Sequence, residues 1–406
     1  MAASEKQANL GWRMSRFLVW AMAVLVMAVP IACGPKKKPE PGLVPLSVQE
    51  QKILVQALDP STQGLTSWLD LAKPVRRSLK ALQARDGERV LVDQPKLRLT
   101  VRDIRVSLEH MLQILPELDA DPELLTREFV CFELRPEVLF TGYYEPRLAA
   151  SLEKLPGYPY PLYAPPQDLQ SVDLGRFHPR WSGQRLMYRI EKGRAVPYHS
   201  RAEIDGQDVL QDKAEVVAWA RDAVDVFFLH IQGSGKLQLP GGGTGYVGYA
   251  GKNGREYVSL GRVLVDKGYM SYDGLSMQSI RAFLGKNPEL MPEILFTNPS
   301  YVFFQLRQDG PYGAMGRKLT PMVSLATDPA LIPLGALLAL QVDLPGKESG
   351  GTLAGLGLAQ DVGGAIKGRH VDLFCGSGAR AGRLAGRLKT RGRLYLLVSK
   401  TVLQPG

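Results

Sequence analysis

Beyond Pro136 the chain never runs far without a glycine or a proline, and that punctuation confines it to short elements. There are 42 Gly and 29 Pro in 406 residues, a supply that suits many short strands joined by tight turns better than long helices. VLFTGYYEP (138–146), VDVFFLHIQGSG (224–235), YVFFQL (301–306), GALLALQV (335–342) and RLYLLVSK (393–400) are rich in Val, Tyr, Phe and Leu and are predicted strands. Helical spacing interrupts them at 255–267 and 276–283. The pattern from Ser47 to about Glu117 is helical instead. Ser47 with Glu50 makes a capping box ahead of Ile53, Leu54 and Leu58, and Val101, Ile104, Leu108, Met111, Leu112 and Leu115 form an apolar stripe.

The N-terminus has a different character. Arg13 and Arg16 precede a charge-free run, FLVWAMAVLVMAVPIA (17–32), that is short for a membrane span. A basic flank, an apolar stretch and a small residue make an export signal over 1–32. Ala32-Cys33-Gly34 resembles the lipobox of bacterial lipoproteins, with Pro30 as a departure, which implies acylation of Cys33. Gly34 after the cysteine implies sorting to the outer membrane, facing the periplasm. Residues 33–46, rich in Pro and Lys, form an extended tether.

A net charge of +10 suits an anionic partner, whether membrane, acidic polymer or nucleic acid. Cys33, Cys131 and Cys375 form no CxxC pair and the five histidines show no HxxxH spacing, so neither a metal nor a cofactor is expected. Gly243-Thr-Gly245-Tyr-Val-Gly248 imitates a dinucleotide fingerprint, with Asp266 farther on. More turn residues follow it where a helix should open, so it is read as a loop between strands. Ser234 lies between glycines but lacks the GxSxG spacing of a hydrolase elbow.

The segment LAQDVGGAIKGRHVDLFCGSG (358–378) concentrates the chemistry. Asp361 and Asp372 flank a turn made possible by Gly363, Gly364 and Gly368. Two carboxyls brought together suit glycosidic cleavage if one is kept protonated by burial or by its neighbour's charge. Val371, Leu373 and Phe374 offer the apolar setting, and Lys367, Arg369 and His370 offer positive charge for an anionic sugar substituent. The competing reading is that both aspartates only close turns.

Seven ordered stretches then resemble the membrane-bound lytic murein transglycosylase A family: FTGYYEP (140–146), HIQGSG (230–235), GYAGKNGREYVSLGRVLVDKG (248–268), SMQSIRAFL (276–284), NPSYVFF (298–304), SLATDPALIPLGA (324–336) and QDVGGAIKGRHVDLFCGSG (360–378). The resemblance implies a mainly β fold: a double-psi β-barrel from 47–146 and 305–406, a second small β-barrel inserted at 147–304, and N-terminal helices. It places a three-aspartate module on Asp328, Asp361 and Asp372, with Asp372 as the catalytic acid and base. Thr141, Tyr143, Gln232 and Ser234 would line a substrate groove, joined by Lys367. The implied reaction is non-hydrolytic cleavage of the β-1,4 bond between N-acetylmuramic acid and N-acetylglucosamine in peptidoglycan, leaving a 1,6-anhydro sugar, without metal or cofactor. Peptidoglycan strands then account for the basic charge, cell-wall synthesis proteins are possible further partners, and nucleic acid is not expected. Two alternatives stay open: a hydrolytic muramidase with Asp361 activating water, and an expansin-like protein that binds polysaccharide without cutting it.

Overall fold

The computed structural model describes residues 42–95, 97–346 and 351–403. The export signal, Cys33 and the tether as far as residue 41 lie outside the described residues. The tether's last residues are not loose: β1 (Gly42–Pro45) pairs antiparallel with β4 (Phe129–Arg135), and Leu43 and Leu46 are buried. Among the described residues no helix is long and apolar enough to cross a membrane.

The expected helices form at Val48–Ala57 and Val101–Ile114, each opened by a capping box, Ser47 with Glu50 and Thr100 with Asp103. A further helix spans Ala72–Leu82. Between the last two stands a hairpin, β2 (Val90–Gln94) and β3 (Leu97–Thr100), that the helical reading of 47–117 misses. Its signal is the two-residue alternation of Leu97 and Leu99, both buried, with exposed Arg98.

From β5 (Val138–Glu145) the chain leaves for an inserted region. This contains β6 (Arg147–Ser151), β7 (Tyr160–Tyr163), β8 (Gln170–Asp173), β9 (Arg185–Glu191), β10 (Arg194–Pro197), β11 (Val216–Ala220), β12 (Ser234–Gln238), β13 (Thr244–Lys252) and β14 (Val302–Arg307). Six of these strands make one sheet, in the order β14-β13-β12-β6-β11-β7. Its end strands β14 and β7 pack together without a hydrogen-bonded ladder, so the sheet is curled but not zipped shut. β8, β9 and β10 form a separate three-stranded flap.

Two expectations change here. VDVFFLHIQ is not a strand but the helix Ala223–Gln232, capped by the Asp222 carboxylate and stopped by Gly233 at φ 74°. Its apolar residues face two cores at once, Val226 and Leu229 toward the sheet and Val224, Phe227 and Phe228 toward the neighbouring helices. An all-round apolar run of that length has no period by which to tell helix from strand. GTGYVG is not a loop, since β13 includes Thr244–Gly248, paired on both sides by β12 and β14.

The last strands are β15 (Ser324–Ala326), β16 (Leu337–Leu344), β17 (Gly351–Asp361), β18 (His370–Ser377) and β19 (Lys389–Ser399). They close with β5 into a six-stranded barrel, running β5-β19-β16-β17-β15-β18 and back to β5. β17 has eight consecutive buried residues because one face looks into the barrel and the other is covered by the N-terminal segments. Three buried glutamines fasten that cover. Gln51 donates to the carbonyls of Leu125 and Phe129 and accepts from the Cys131 N–H. Gln360 donates to the Pro74 carbonyl and the Ser78 hydroxyl. Gln63 donates to the Met322 and Leu356 carbonyls and accepts from the Leu356 N–H, filling the space beside Gly355.

A methyl group on Gly355 would stand 2.1 Å from Gln63 Oε1. Gly355→Ala should therefore expel the buried amide and cost about 2–4 kcal/mol, combining overpacking with lost buried hydrogen bonds. Urea denaturation checks this; an unchanged midpoint would refute the clasp.

Candidate active site

β5 and β18 run parallel, with Thr141 opposite Asp372 and Tyr143 opposite Phe374. Strand alternation then sends Thr141 and Tyr143 to one face, together with Asp372 and Phe374. Val371 and Leu373 point the other way into the barrel core, so of the three apolar residues expected around the acid only Phe374 shares its face. The Phe374 ring lies 5.3 Å from that of Tyr143.

The two carboxyls have different surroundings. Asp361, at the end of β17, accepts three hydrogen bonds: Tyr143 Oη to Oδ2 at 2.9 Å, and the Ala314 and Val362 N–H groups to Oδ1 at 2.8 and 2.9 Å. Asp372 accepts one, from Thr141 Oγ1 at 2.7 Å. Burial pushes Asp361 up to about 6, with those three donors holding it down. Burial pushes Asp372 up to about 7; the Thr141 bond opposes this and the charge of Asp361 adds to it. Asp361 therefore ionises first, and Asp372 keeps a proton close to neutral pH while solvent still reaches its side chain. Burial and the Asp361 charge raise Tyr143 well above its usual range, which keeps it a neutral donor.

His370 has a role that the sequence reading did not assign. Burial lowers its pKa, so it brings no standing positive charge to the site. Its Nδ1 lies 3.3 Å from the Ala365 carbonyl and its Nε2 2.8 Å from Thr141 Oγ1. The carbonyl can only accept, which puts the proton of the neutral ring on Nδ1 and leaves Nε2 as an acceptor. The single hydroxyl proton of Thr141 can thus go to the Asp372 carboxylate, or swing to His370 when Asp372 is protonated.

The remaining expected residues are placed as follows. Asp328 Oδ2 accepts from the Gly368 N–H at 2.7 Å and pins the turn between β17 and β18. Gly368 has φ 62° there, a conformation suited to glycine. Lys367 is exposed on the same turn. Gln232 does not join the carboxyls: its Oε1 accepts from the Tyr144 N–H at 3.0 Å and ties helix 223–232 to β5. Ser234 is buried at the start of β12, opposite Gly248.

Two further contributors escaped the sequence reading. Ala314 supplies only a backbone N–H; the signal beside it is Gly313, where a Cβ would meet the Gln360 carbonyl oxygen at 2.6 Å. Cys375 packs with Ala381 and Ala385 against helix Gly378–Arg387, and burial raises its thiol pKa. That makes it a small apolar spacer.

Fold and site define a two-domain β protein in which a closed barrel presents one proton-holding carboxyl beside a second that is already ionised. The family model for the MltA specific insert domain matches residues 139–305, and that for the 3D domain matches 323–398. Membrane-bound lytic murein transglycosylase A of Escherichia coli (strain K12) is 36% identical over 266 residues, 64% of this chain and 65% of that protein. The chain thus spans 65% of the length of that relative. A membrane-bound lytic murein transglycosylase from Agrobacterium tumefaciens superposes with a TM-score of 0.75 at 27% identity, covering 89% of this chain and 98% of that one. E. coli MltA with bound chitohexaose superposes at 0.60 with 26% identity, covering 81% and 89%. MltA from Neisseria gonorrhoeae is 32% identical and superposes with a TM-score of 0.68, covering 85% of this chain and 91% of that one, and the chain belongs to the membrane-bound lytic murein transglycosylase A family.

The raised pKa of Asp372 has a cost for the fold. The folded protein holds this proton more tightly than the unfolded chain, whose carboxyl titrates near its ordinary 3.8. The stability gained from protonation is complete below about pH 4 and is lost as pH climbs through about 7. Asp372→Asn, which keeps the Thr141 acceptor, should stabilise the protein by about 1–3 kcal/mol at pH 8 and change little at pH 4. Melting curves at the two pH values check the sign.

Proposed function

We propose that this protein is a peptidoglycan lytic transglycosylase in which Asp372 serves first as acid and then as base. The observation that carries the reading is the unequal support of the two carboxyls: three donors on Asp361, one on Asp372. In the first step protonated Asp372 gives its proton to the glycosidic O4 as the C1–O4 bond breaks. In the second, the carboxylate takes the proton of the muramoyl O6–H as O6 bonds to C1. The result is a 1,6-anhydro sugar and a regenerated acid, with no water consumed. Thr141 supports both states by turning its hydroxyl, and burial, with a smaller contribution from the Asp361 charge, holds the acid's pKa up. Asp328 holds the turn on which the acid depends. The chitohexaose bound by E. coli MltA supports a glycan as ligand, and Tyr143, Ser234, Gln232 and Lys367 are the residues proposed to line its groove.

The muramidase alternative would need Asp361 to activate water with the one acceptor site that its three donors leave on Oδ2. The same fold with no cleavage remains the expansin-like alternative. The proposed domain division is 47–146 with 305–406 for the barrel and 147–304 for the insert. The proposed anchor is a lipid on Cys33 that places the enzyme on the outer membrane, facing the periplasm.

Mass spectrometry of muropeptides released from purified sacculi tests the reaction. The expected products lack one water relative to reducing-end sugars; reducing ends would establish the muramidase, and no release the binding protein. Asp372→Asn should lower kcat by about three orders of magnitude or more with the fold intact. Asp361→Asn should move the alkaline limb of the kcat–pH profile, which reports loss of the acid's proton, to lower pH. A limb that stays in place would confine Asp361 to a structural role. Cys33→Ala should leave soluble or unprocessed protein; mutant of mature size in the membrane fraction would reject lipidation.

A further inference from the structure

The flap formed by β8, β9 and β10 has no buried residue between Gln170 and Pro197. Its β9 register puts Leu186, Tyr188 and Ile190 on one face, and the cross-strand partners Gln170, Val172, Ala195 and Pro197 fall on the same face. The opposite face is the attached one, where Met187 packs on Gly254 of the insert. The apolar face is open: Leu186 is 54% exposed, Ile190 53%, and Phe177, in the turn leading to β9, 70%. Outside the ladder the segment 170–197 carries three cations, Arg176, Arg180 and Lys192, and no anion, while the register puts Arg185, Arg189 and Arg194 with Asp173 and Glu191 on the attached face. Arg180 lies over the Trp181 ring at 4.6 Å.

We infer that this flap is a second membrane contact, docking its apolar face at the headgroup boundary of an anionic lipid surface. Branched aliphatic side chains bared beside arginines and a tryptophan suit the lipid interface, where apolar groups sink and guanidinium groups meet phosphate. The inference rests on the proposed lipid at Cys33 for one further point. The nine residues from Cys33 to Gly42 span at most about 30 Å, so an anchored chain stays close to the bilayer. A weak second contact then acts at high effective concentration. Each cation near an anionic surface adds about five-fold to partitioning.

The test uses the full lipidated chain with Ile190→Cys, or Leu186→Cys as a second position, carrying an environment-sensitive fluorophore. Cys131 and Cys375 are buried and spared by the reagent. The chain is placed in phosphatidylcholine vesicles with and without phosphatidylglycerol, and emission and quenching by nitroxide-bearing lipid are recorded. Blue-shifted, quenched emission is expected only with phosphatidylglycerol, and it should be lost in high salt. Arg176→Gln with Arg180→Gln should reduce flap partitioning about 25-fold while turnover of soluble glycan stays unchanged. Water-like, unquenched emission in phosphatidylglycerol vesicles that still retain the chain overturns the inference. So does burial of the label that needs added periplasmic protein, or that grows with the chain's own concentration. Retention on vesicles reports the anchor, the label reports the flap, and glycan turnover reports Asp372, so failure of one reading is told apart from failure of another.

Discussion

The parallel ladder between β5 and β18 is the constraint on which the rest of this structure depends. It joins residues 231 positions apart and sets Thr141 opposite Asp372. A slip of one residue would turn Asp372 into the apolar barrel interior and bring Val371 out beside Thr141. Register is held because Val371, Leu373, Val138 and Phe140 must all reach the same core. Burial of the hydrophobic side chains therefore positions the acid, with no dedicated scaffold around it.

With position fixed, local polarity separates the two carboxyls. The N–H groups at Ala314 and Val362 and the Tyr143 hydroxyl make the site of Asp361 tolerant of charge. Asp372 has a single hydroxyl and a neighbouring anion. The difference between acid and anion thus comes from backbone placed by a glycine at 313 and a turn pinned by Asp328. Neither contribution requires an unusual side chain.

Much of this was legible in the sequence, for identifiable reasons. Strands such as YVFFQL and RLYLLVSK could be read because β-branched and aromatic runs ended at turn residues, and the helix over 101–114 because its apolar stripe kept a helical period. The helix 223–232 was misread because it is buried on both sides and so shows no period. The glycines around Asp361 and Asp372 marked the site, and the family resemblance singled out Asp372. The Thr141–His370 bond and the Ala314 N–H could not be read, since each joins residues that only the closed barrel brings together. The bond by which the Gln232 amide holds helix 223–232 to β5 could not be read either, since it joins residues 88 positions apart.

β19 bonds to β4, β16 and β5, so it is the stave that shuts the barrel. It is also made late, after residue 388, when Asp361, Asp372 and the whole insert already exist. Until it is in place β5 lacks one of its two neighbours, and the wall that holds Thr141 against Asp372 is open. A nascent or clipped chain lacking β19 therefore carries both aspartates of the candidate site without the wall that sets Thr141 against Asp372. Under the proposed function such a chain is harmless to the wall of its own cell, because bond-breaking competence would arrive only with the closing strand.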